Sequence, residues 1–219
     1  MIKIPKKLLW FGIIFFVVGM TAYYTGQDSI MSFKSQQATE FLGWLKHSQE
    51  TTPSIEEPFQ PPVRTKTVNC IIKGSLPDSQ CTPGAVFPDV TKEQTCVQGY
   101  TKTVRSVSVS LKKKVYQEYG VSYPPPFGSY EADHFIPLAL GGNNDIANLF
   151  PEAAEPRPGF REKDLVENYL HEQVCLGNMS LSSAQNKISS NWLEVYNNLS
   201  PYELERLKRE YKNWSRLPN

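Results

Sequence analysis

The sequence lacks an excess of charge of either sign, because 23 lysine and arginine residues stand against 22 aspartate and glutamate residues. A protein that coats nucleic acid usually carries a strongly basic balance, and this chain has none. An enzyme that acts on nucleic acid is not excluded, since it needs only a local positive cleft. The chain also lacks internal repeats, and 219 residues are few for two full domains. We therefore expect one globular unit with attachments.

The N-terminus carries an uncharged apolar run, Leu8 to Tyr24, directly after Lys3, Lys6 and Lys7. As a helix this run spans roughly 26 Å, near the lower limit for crossing a bilayer. A cleaved signal peptide is the alternative, but no small-x-small cleavage site follows the run. We favour an uncleaved single-pass anchor in the cytoplasmic membrane, with the lysines inside and the rest in the periplasm or outside. Cleavage would make the protein secreted.

All four cysteines lie on the side that this topology exports. An even number of cysteines in an oxidising compartment predicts two disulfides, although buried free thiols are the alternative. Four cysteines allow three pairings, and the sequence does not choose among them. We favour the local pair Cys70 and Cys81 together with the long-range pair Cys96 and Cys175.

Composition divides the chain into five segments. Residues 48–67 are rich in proline, serine, threonine and glutamate, which predicts an extended spacer that packs no core, so the globular domain is expected to begin near Val68. The segments are a membrane anchor or signal (1–26), a juxtamembrane segment and linker (27–67), an accessory disulfide-containing region (68–129), a hairpin-and-helix core (130–177) and C-terminal helices packed on that core (178–219).

Hydrophobic spacing predicts an α+β fold. Residues 68–109 read as loops with a few short strands, and a short helix ending at Gly120 follows. Two strands, Tyr130 to Pro137 and Ala147 to Phe150, are expected to form a hairpin through the turn at Gly141 and Gly142. A helix from about Arg161 to Leu176, closed by Gly177, is predicted next. Two further helices follow, one with Leu181 to Val195 and one capped by Ser200, with Leu204, Leu207, Tyr211 and Trp214 facing inward.

One short stretch carries the motif that points to chemistry. It contains Asp133 and His134 on a strand, Pro137 three residues after the histidine, the Gly141–Gly142 turn, and Asn148–Leu149 on the return strand. This pattern resembles the HNH endonuclease family over residues 130–175. A looser likeness to exported bacterial proteins of this type extends upstream, over residues 81–85, Cys96 and residues 103–105.

The resemblance implies a small ββα-metal core and a role for each motif residue. Neighbouring side chains of a strand point to opposite faces, so Asp133 could hold a metal ion while His134 faces a water molecule. An imidazole titrates near neutral pH, and the family implies that His134 is the general base. Asn148 matches the family's central asparagine, which is expected to hold the base loop and the imidazole by hydrogen bonds.

The family also implies a metal ligand on the following helix. His171 is our first choice and Asn168 the second, because both lie on the polar side of the predicted helix with Asp164 and Glu167. The chain has only three histidines, and the two in the exported domain stand at positions that this mechanism would use. The alternative is a solvated helix face with no ligand. The expected cofactor is one divalent cation, with Mg²⁺ first and Mn²⁺, Ni²⁺ or Zn²⁺ as alternatives.

Basic residues near the motif are candidates for contacts with the phosphate backbone. Arg157, Arg161 and Lys163 flank the proposed metal helix, and the run from Lys112 to Lys114 with Lys102 and Arg105 forms a second candidate stripe. Ordinary surface charge is the alternative for both sets. The sequence thus predicts a metal-dependent endonuclease that cleaves DNA with little sequence specificity. RNA is an alternative or additional substrate. A non-catalytic envelope module and an exported antibacterial toxin are the alternatives; protein partners are not indicated.

Overall fold

The computed structural model describes residues 57–211. These residues belong to one compact unit. The predicted anchor, the juxtamembrane segment and Trp214 lie outside the described residues. Between residues 57 and 211 no helix combines the length and the apolar character needed to cross a bilayer.

The described domain combines six helices with one two-stranded hairpin, which agrees with the predicted α+β class. Single 3-10 turns at Leu138–Leu140 and Ile146–Asn148 lie in the connection between the strands. In chain order the elements are α1 (Lys92–Thr95), α2 (Tyr100–Val104), α3 (Val109–Glu118), β1 (Tyr130–His134), β2 (Leu149–Ala153), α4 (Phe160–Leu176), α5 (Leu181–Asn198) and α6 (Pro201–Glu210).

The hairpin forms as predicted, but β1 is shorter than expected and β2 begins and ends later in the chain. β1 and β2 run antiparallel, with Asp133 opposite Phe150 and Glu131 opposite Glu152. β1 ends at His134 instead of Pro137, because the chain beyond it folds into a loop that bonds to the Asn148 side chain. β2 begins two residues late, since the Asp145 side chain caps a 3-10 turn that includes Asn148.

Helix α4 is the element that joins the hairpin to the rest of the domain. Its bounds agree with the prediction, and Gly177 closes it with a φ of 79°, a conformation that favours glycine. Val166, Leu170 and Val174 are fully buried, and α5 packs against the same helix with Ile188 and Trp192 in the core. Helix α4 therefore sits with one side in the core and presents another to the hairpin.

Both predicted disulfides are present, Cys70 with Cys81 and Cys96 with Cys175. The second joins the end of α1 to the last turn of α4, across 79 residues of sequence. The prediction of short strands in residues 68–109 was wrong, because α1 and α2 form there instead. The Thr91 side chain caps α1, and Gln94 returns the bond to the Thr91 N–H. A four-residue helix with such caps leaves little periodic signal in the sequence.

The expected start of the domain near Val68 was also wrong. Residues before it are extended, yet Phe59 packs against the core and its N–H donates to Ser182 Oγ at 3.2 Å. The Arg64 side chain forms an ion pair with Glu118 and donates to the Cys81 carbonyl at 2.8 Å. Proline prevents this segment from forming helix or sheet, but an extended chain can still bind to a folded surface through its side chains.

Candidate active site

One buried side chain, Asn148, fixes the conformation of the loop between the strands. Its Oδ1 accepts the Ile136 N–H at 2.9 Å, and its Nδ2 donates to the carbonyl oxygens of Ile136 and Asn143, each at 2.9 Å. Gly142 lies against the same contact, where a Cβ atom would stand 1.8 Å from the Ile136 carbonyl oxygen. The motif asparagine and the motif glycine therefore fix the chain that follows His134.

The His134 side chain is 3 % exposed, so it lies in a largely enclosed position at the end of β1. Its Nε2 lies 3.2 Å from Asn144 Oδ1. Burial lowers the pKa of His134, and the Asp133 carboxylate offsets only part of that effect. A neutral imidazole near pH 7 follows, which is the form that can accept a proton.

Asn148 was expected from the motif to hold both the base loop and the imidazole. It holds the loop through three bonds to the backbone, but the contact with the imidazole is made by Asn144. The two asparagines stand four residues apart and both face the same loop. Nothing in the motif separates their roles, since either amide can bond to an imidazole.

The Lys163 ammonium lies between α4 and the hairpin, and its side chain is 0 % exposed. It donates to Asp133 Oδ2 at 2.6 Å and to the His134 carbonyl oxygen at 2.8 Å. It also bonds to Glu167, one turn along α4, and lies 3.9 Å from Oε2 of Glu152. One ammonium therefore faces three carboxyl groups, which together would carry an excess of negative charge if all three were ionised.

The pKa values of the cluster move in different directions. Burial raises the pKa of Glu152 well above its usual value. Burial and neighbouring carboxylates raise the pKa of Glu167 to about 7 and that of Asp164 to about 9. For Asp133, burial would raise the pKa, but the Lys163 ammonium, a hydrogen bond from Glu152 and the nearby His134 together lower it. Asp133 is thus ionised at neutral pH, whereas the carboxyl groups around it favour their protonated form.

The structure does not bring the two predicted helix-borne ligands to Asp133. His171 lies two helical turns, about 12 Å, beyond Lys163, which is the α4 residue that touches Asp133. Its Nε2 lies 3.1 Å from the Thr95 carbonyl oxygen and 3.4 Å from Cys175 Sγ. Asn168 donates Nδ2–H to the Asp164 carbonyl of its own helix at 2.8 Å. Lys163 is the α4 residue that bonds to the Asp133 carboxylate, and it also bonds to Glu167.

Cys96, His171 and Cys175 are placed closely enough to hold a metal ion, since one ligand atom from each lies within 4.8 Å of the others. The two sulfur atoms, however, are joined in a disulfide. A disulfide sulfur carries no thiolate charge, and the thiolate is the form that binds metals. In the oxidised protein we therefore interpret this group as a covalent tie with an imidazole packed beside it.

The predicted phosphate-binding residues have different surroundings. Assigning this role to Lys163 was wrong, because three carboxylates enclose its ammonium. Arg157 is 65 % exposed and pairs with Glu155 at 3.2 Å and with Glu162 at 3.9 Å. Arg161 lies with its guanidinium 4.5 Å from the centre of the Phe160 ring. Both arginines remain at the surface near the start of α4.

Arg105, from the second candidate stripe, is the cation that the structure brings to the site. It is exposed, and it forms no ion pair within residues 57–211. Its positive charge nevertheless acts on His134, where it helps to lower the pKa, and on Glu131 and Glu167, where it opposes the rise in pKa that burial causes. Arg105 is therefore close enough for its charge to act on all three groups.

Sequence reasoning missed Glu152, Glu167 and Asn144 as members of this site. Strand alternation could have found Glu152, because it stands two residues after Phe150, the partner of Asp133. Helical spacing could have found Glu167, which is one turn from Lys163. No sequence signal marks Asn144. Comparisons with protein-family models, with curated proteins and with solved structures found no match for this chain.

Proposed function

We propose that this domain is a metal-dependent endonuclease that hydrolyses phosphodiester bonds of DNA, with His134 as general base. The observation that carries the proposal is an enclosed imidazole next to an ionised carboxylate, Asp133, within a cluster that has more carboxylates than cations. The resemblance of residues 130–175 to HNH endonucleases supports the same assignment. The assay described below also tests RNA as a substrate.

We propose that a divalent cation would bind at the carboxylate cluster. Glu152 is 1 % exposed, and its carboxyl group lies beside that of Asp133, which raises the pKa of Glu152. Its neighbour Asp133 is another acceptor, and two carboxylates can bond to each other only through a proton or a cation. Asp133 and Glu167 keep side-chain exposures of 20 % and 18 %, so ions from solvent can reach them. Oxygen donors of this kind suit Mg²⁺ or Mn²⁺.

Asp133, with Glu152 and Glu167, would hold that cation in place of the ligand set expected from sequence. When bound, the cation would offset the charge that develops on the phosphate and on the leaving oxygen. His134 removes a proton from the attacking water, and its neutral form at pH 7 is suited to that step. Asn148 keeps the following loop, and therefore the end of β1, in a fixed position.

Arg105 is our candidate for the residue that binds the substrate phosphate. Its guanidinium carries a charge that no carboxylate of the described chain neutralises, and a phosphate could accept two parallel N–H bonds from it. Arg157 and Arg161 would contact the backbone farther along the strand. Because such contacts bind phosphates rather than bases, weak sequence specificity follows.

The proposed location is outside the cytoplasmic membrane. Two disulfides in one domain support an oxidising compartment, since disulfides are rare where glutathione keeps thiols reduced. The N-terminal apolar run would provide the anchor. A periplasm-dependent alkaline phosphatase fused after residue 60 should be active, and an inactive fusion would contradict this orientation.

The test is plasmid nicking by the full chain in detergent, with Mg²⁺, Mn²⁺, Ni²⁺ and Zn²⁺ added separately after chelation. We expect His134→Ala to lower kcat by about 10²- to 10⁴-fold, because a positioned general base contributes about that much. His171→Ala is the matched control, a partly buried histidine of the same domain outside the carboxylate cluster, and should keep its activity. Labelled single-stranded RNA in place of plasmid tests the second substrate.

A non-catalytic module is the second candidate function, and one observation favours it. The Lys163 ammonium already neutralises Asp133, and a buried ion pair of this kind can serve structure alone. If wild type and His134→Ala leave plasmid equally intact with every metal, this alternative is established and the enzymatic proposal fails.

A further inference from the structure

The Asn144 side chain joins three parts of the candidate site. Its Nδ2 donates to the Val104 carbonyl oxygen at 2.7 Å, and its Oδ1 accepts the Ser106 N–H at 3.1 Å. The same Oδ1 lies 3.2 Å from Nε2 of His134. Val104 and Ser106 flank Arg105, so one amide group contacts the peptide groups on both sides of that arginine and also the imidazole.

The two backbone contacts fix which way the Asn144 amide points. A carbonyl oxygen can only accept a hydrogen bond, and a backbone N–H can only donate one. Nδ2 must therefore face Val104 and Oδ1 must face Ser106, and a flipped amide would break both bonds. The group presented to the imidazole is consequently an acceptor. For a bond to form, Nε2 of His134 must carry the hydrogen.

We propose that Asn144 is a positioning residue that holds His134 in the tautomer protonated on Nε2, leaving the lone pair on Nδ1, and that it holds the Arg105 segment beside it. The catalytic part of this inference rests on the proposed nuclease function. In that reaction Nδ1 is the nitrogen that accepts the proton of the attacking water. Asn144 thereby sets both the chemical form of the base and the place of the phosphate-binding arginine.

The tautomer can be measured without any activity, on the full chain labelled with ¹⁵N at histidine. Two-bond proton–nitrogen spectra at alkaline pH, where the imidazoles are neutral, distinguish protonated Nε2 from protonated Nδ1. We expect well-separated ¹⁵N resonances for wild-type His134, assigned through His134→Gln, and a smaller separation in Asn144→Ala as the tautomers mix. His171 is the internal control, because its Nε2 faces the Thr95 carbonyl and should be unchanged.

Two variants separate the two parts of the role in nicking assays. Asn144→Ala should lower kcat by about 10- to 100-fold, as expected when an orienting partner of a catalytic group is removed. Asn144→Asp keeps an acceptor for Nε2–H but loses the bond to Val104, so it should keep the wild-type tautomer and most of kcat. Its KM should rise, because the Arg105 segment loses one bond and a carboxylate now stands near the phosphate.

The inference is overturned if wild-type His134 is protonated on Nδ1 or already averages both tautomers. It is also overturned if Asn144→Ala leaves the His134 resonances unchanged in a variant whose circular dichroism remains native, or if Asn144→Asp loses kcat as fully as Asn144→Ala does. Failure of the nuclease proposal is a different result: wild type would then nick no plasmid with any metal, while the tautomer measurement would keep its outcome.

Discussion

The two halves of α4 use the same side of the helix for different purposes. In the first half, Lys163 and Glu167 face the hairpin and form a buried cluster of charges with Asp133. In the second half, His171 and Cys175 face the α1 segment, and a disulfide closes the contact. All four positions follow one another at intervals of four residues, so they lie along one stripe.

The difference shows that residues on one stripe of a helix can lie in quite different environments. The first half packs against the hairpin, where the buried Lys163 ammonium lies beside the carboxyl groups of Asp133 and Glu152. The second half meets a short capped helix, and a covalent bond attaches the two. We infer that the disulfide end fixes the helix while the charged end carries the chemistry.

Replacing the buried cation is expected to have the largest effect on stability. Lys163→Met leaves the carboxylates of Asp133, Glu152 and Glu167 without their ammonium, and removing one partner of a buried pair costs about 3 to 5 kcal/mol. Lys187→Met, at an exposed position of α5, is the control and should change stability by less than about 0.5 kcal/mol. Urea unfolding in chelated buffer measures both. Equal stability of the two variants would show that the charge cluster does not hold the first half of α4.

Removing the long-range disulfide should have the next largest effect. The Cys96 and Cys175 bond closes 79 residues, and loop-closure entropy predicts a loss of about 4 kcal/mol for the double alanine variant. The Cys70 and Cys81 bond closes only 11 residues and should contribute about 3 kcal/mol by the same reasoning. Thermal unfolding of the two double variants gives the ranking. The opposite order would mean that the second half of α4 is held by packing rather than by its covalent tie.

The pH dependence of stability should have opposite signs in the two halves. Burial raises the pKa of Glu167 to about 7, so its favourable contribution is complete below the unfolded pKa and is lost as pH rises through about 7. Glu172 lies in the second half, where burial would raise its pKa but bonds from Arg206 and Tyr211 outweigh burial and lower it. Its contribution is present above the unfolded pKa and is lost as pH falls.

Glutamine variants test these signs in metal-free protein. Relative to wild type, Glu167→Gln should gain about 1 to 3 kcal/mol as pH rises from about 4 to about 8. Glu172→Gln should be less stable than wild type at neutral pH and approach it in acid. Urea unfolding across the pH range measures both differences. If the two differences change in the same direction with pH, the two halves of α4 are not electrostatically distinct.

The smallest effect is expected at His171, which the sequence analysis placed in the metal site. His171→Gln should change stability by less than about 1 kcal/mol, because one hydrogen bond to Thr95 is at stake. Its nicking rate should stay within about threefold of wild type, whereas Asp133→Asn should lose about 10²- to 10³-fold. If His171→Gln loses as much nicking rate as Asp133→Asn does, His171 is a metal ligand after all.

Much of the fold followed from the sequence because its signals are local. The helical spacing of apolar residues and the glycine after Leu176 gave the limits of α4, and the Gly141–Gly142 turn placed the hairpin. The α1 and α2 helices were not predictable in the same way. They span four and five residues and are too short for a periodic pattern to emerge.

Only the site residues on strand β1 were predictable from the sequence. Asp133 and His134 are fixed by their motif, but the residues that meet them from α4 depend on how far the helix is shifted along the hairpin. One turn of shift moves a side chain by about 5.4 Å, which is enough to exchange His171 for Glu167 as the neighbour. Contacts across the fold, including the disulfide at Cys175, set that shift. A sequence pattern does not encode it.

The loop closed by Asn148 has a consequence for how proteins with this core can diverge. One residue inserted between Pro137 and Asn143 would pull at least one backbone partner away from the buried carboxamide and leave a polar group unsatisfied. Gains and losses of length should instead accumulate in the exposed proline-containing stretches at 122–127 and 155–158. New substrate preferences in such proteins would thus arise in these exposed stretches, while the loop behind His134 stays unchanged.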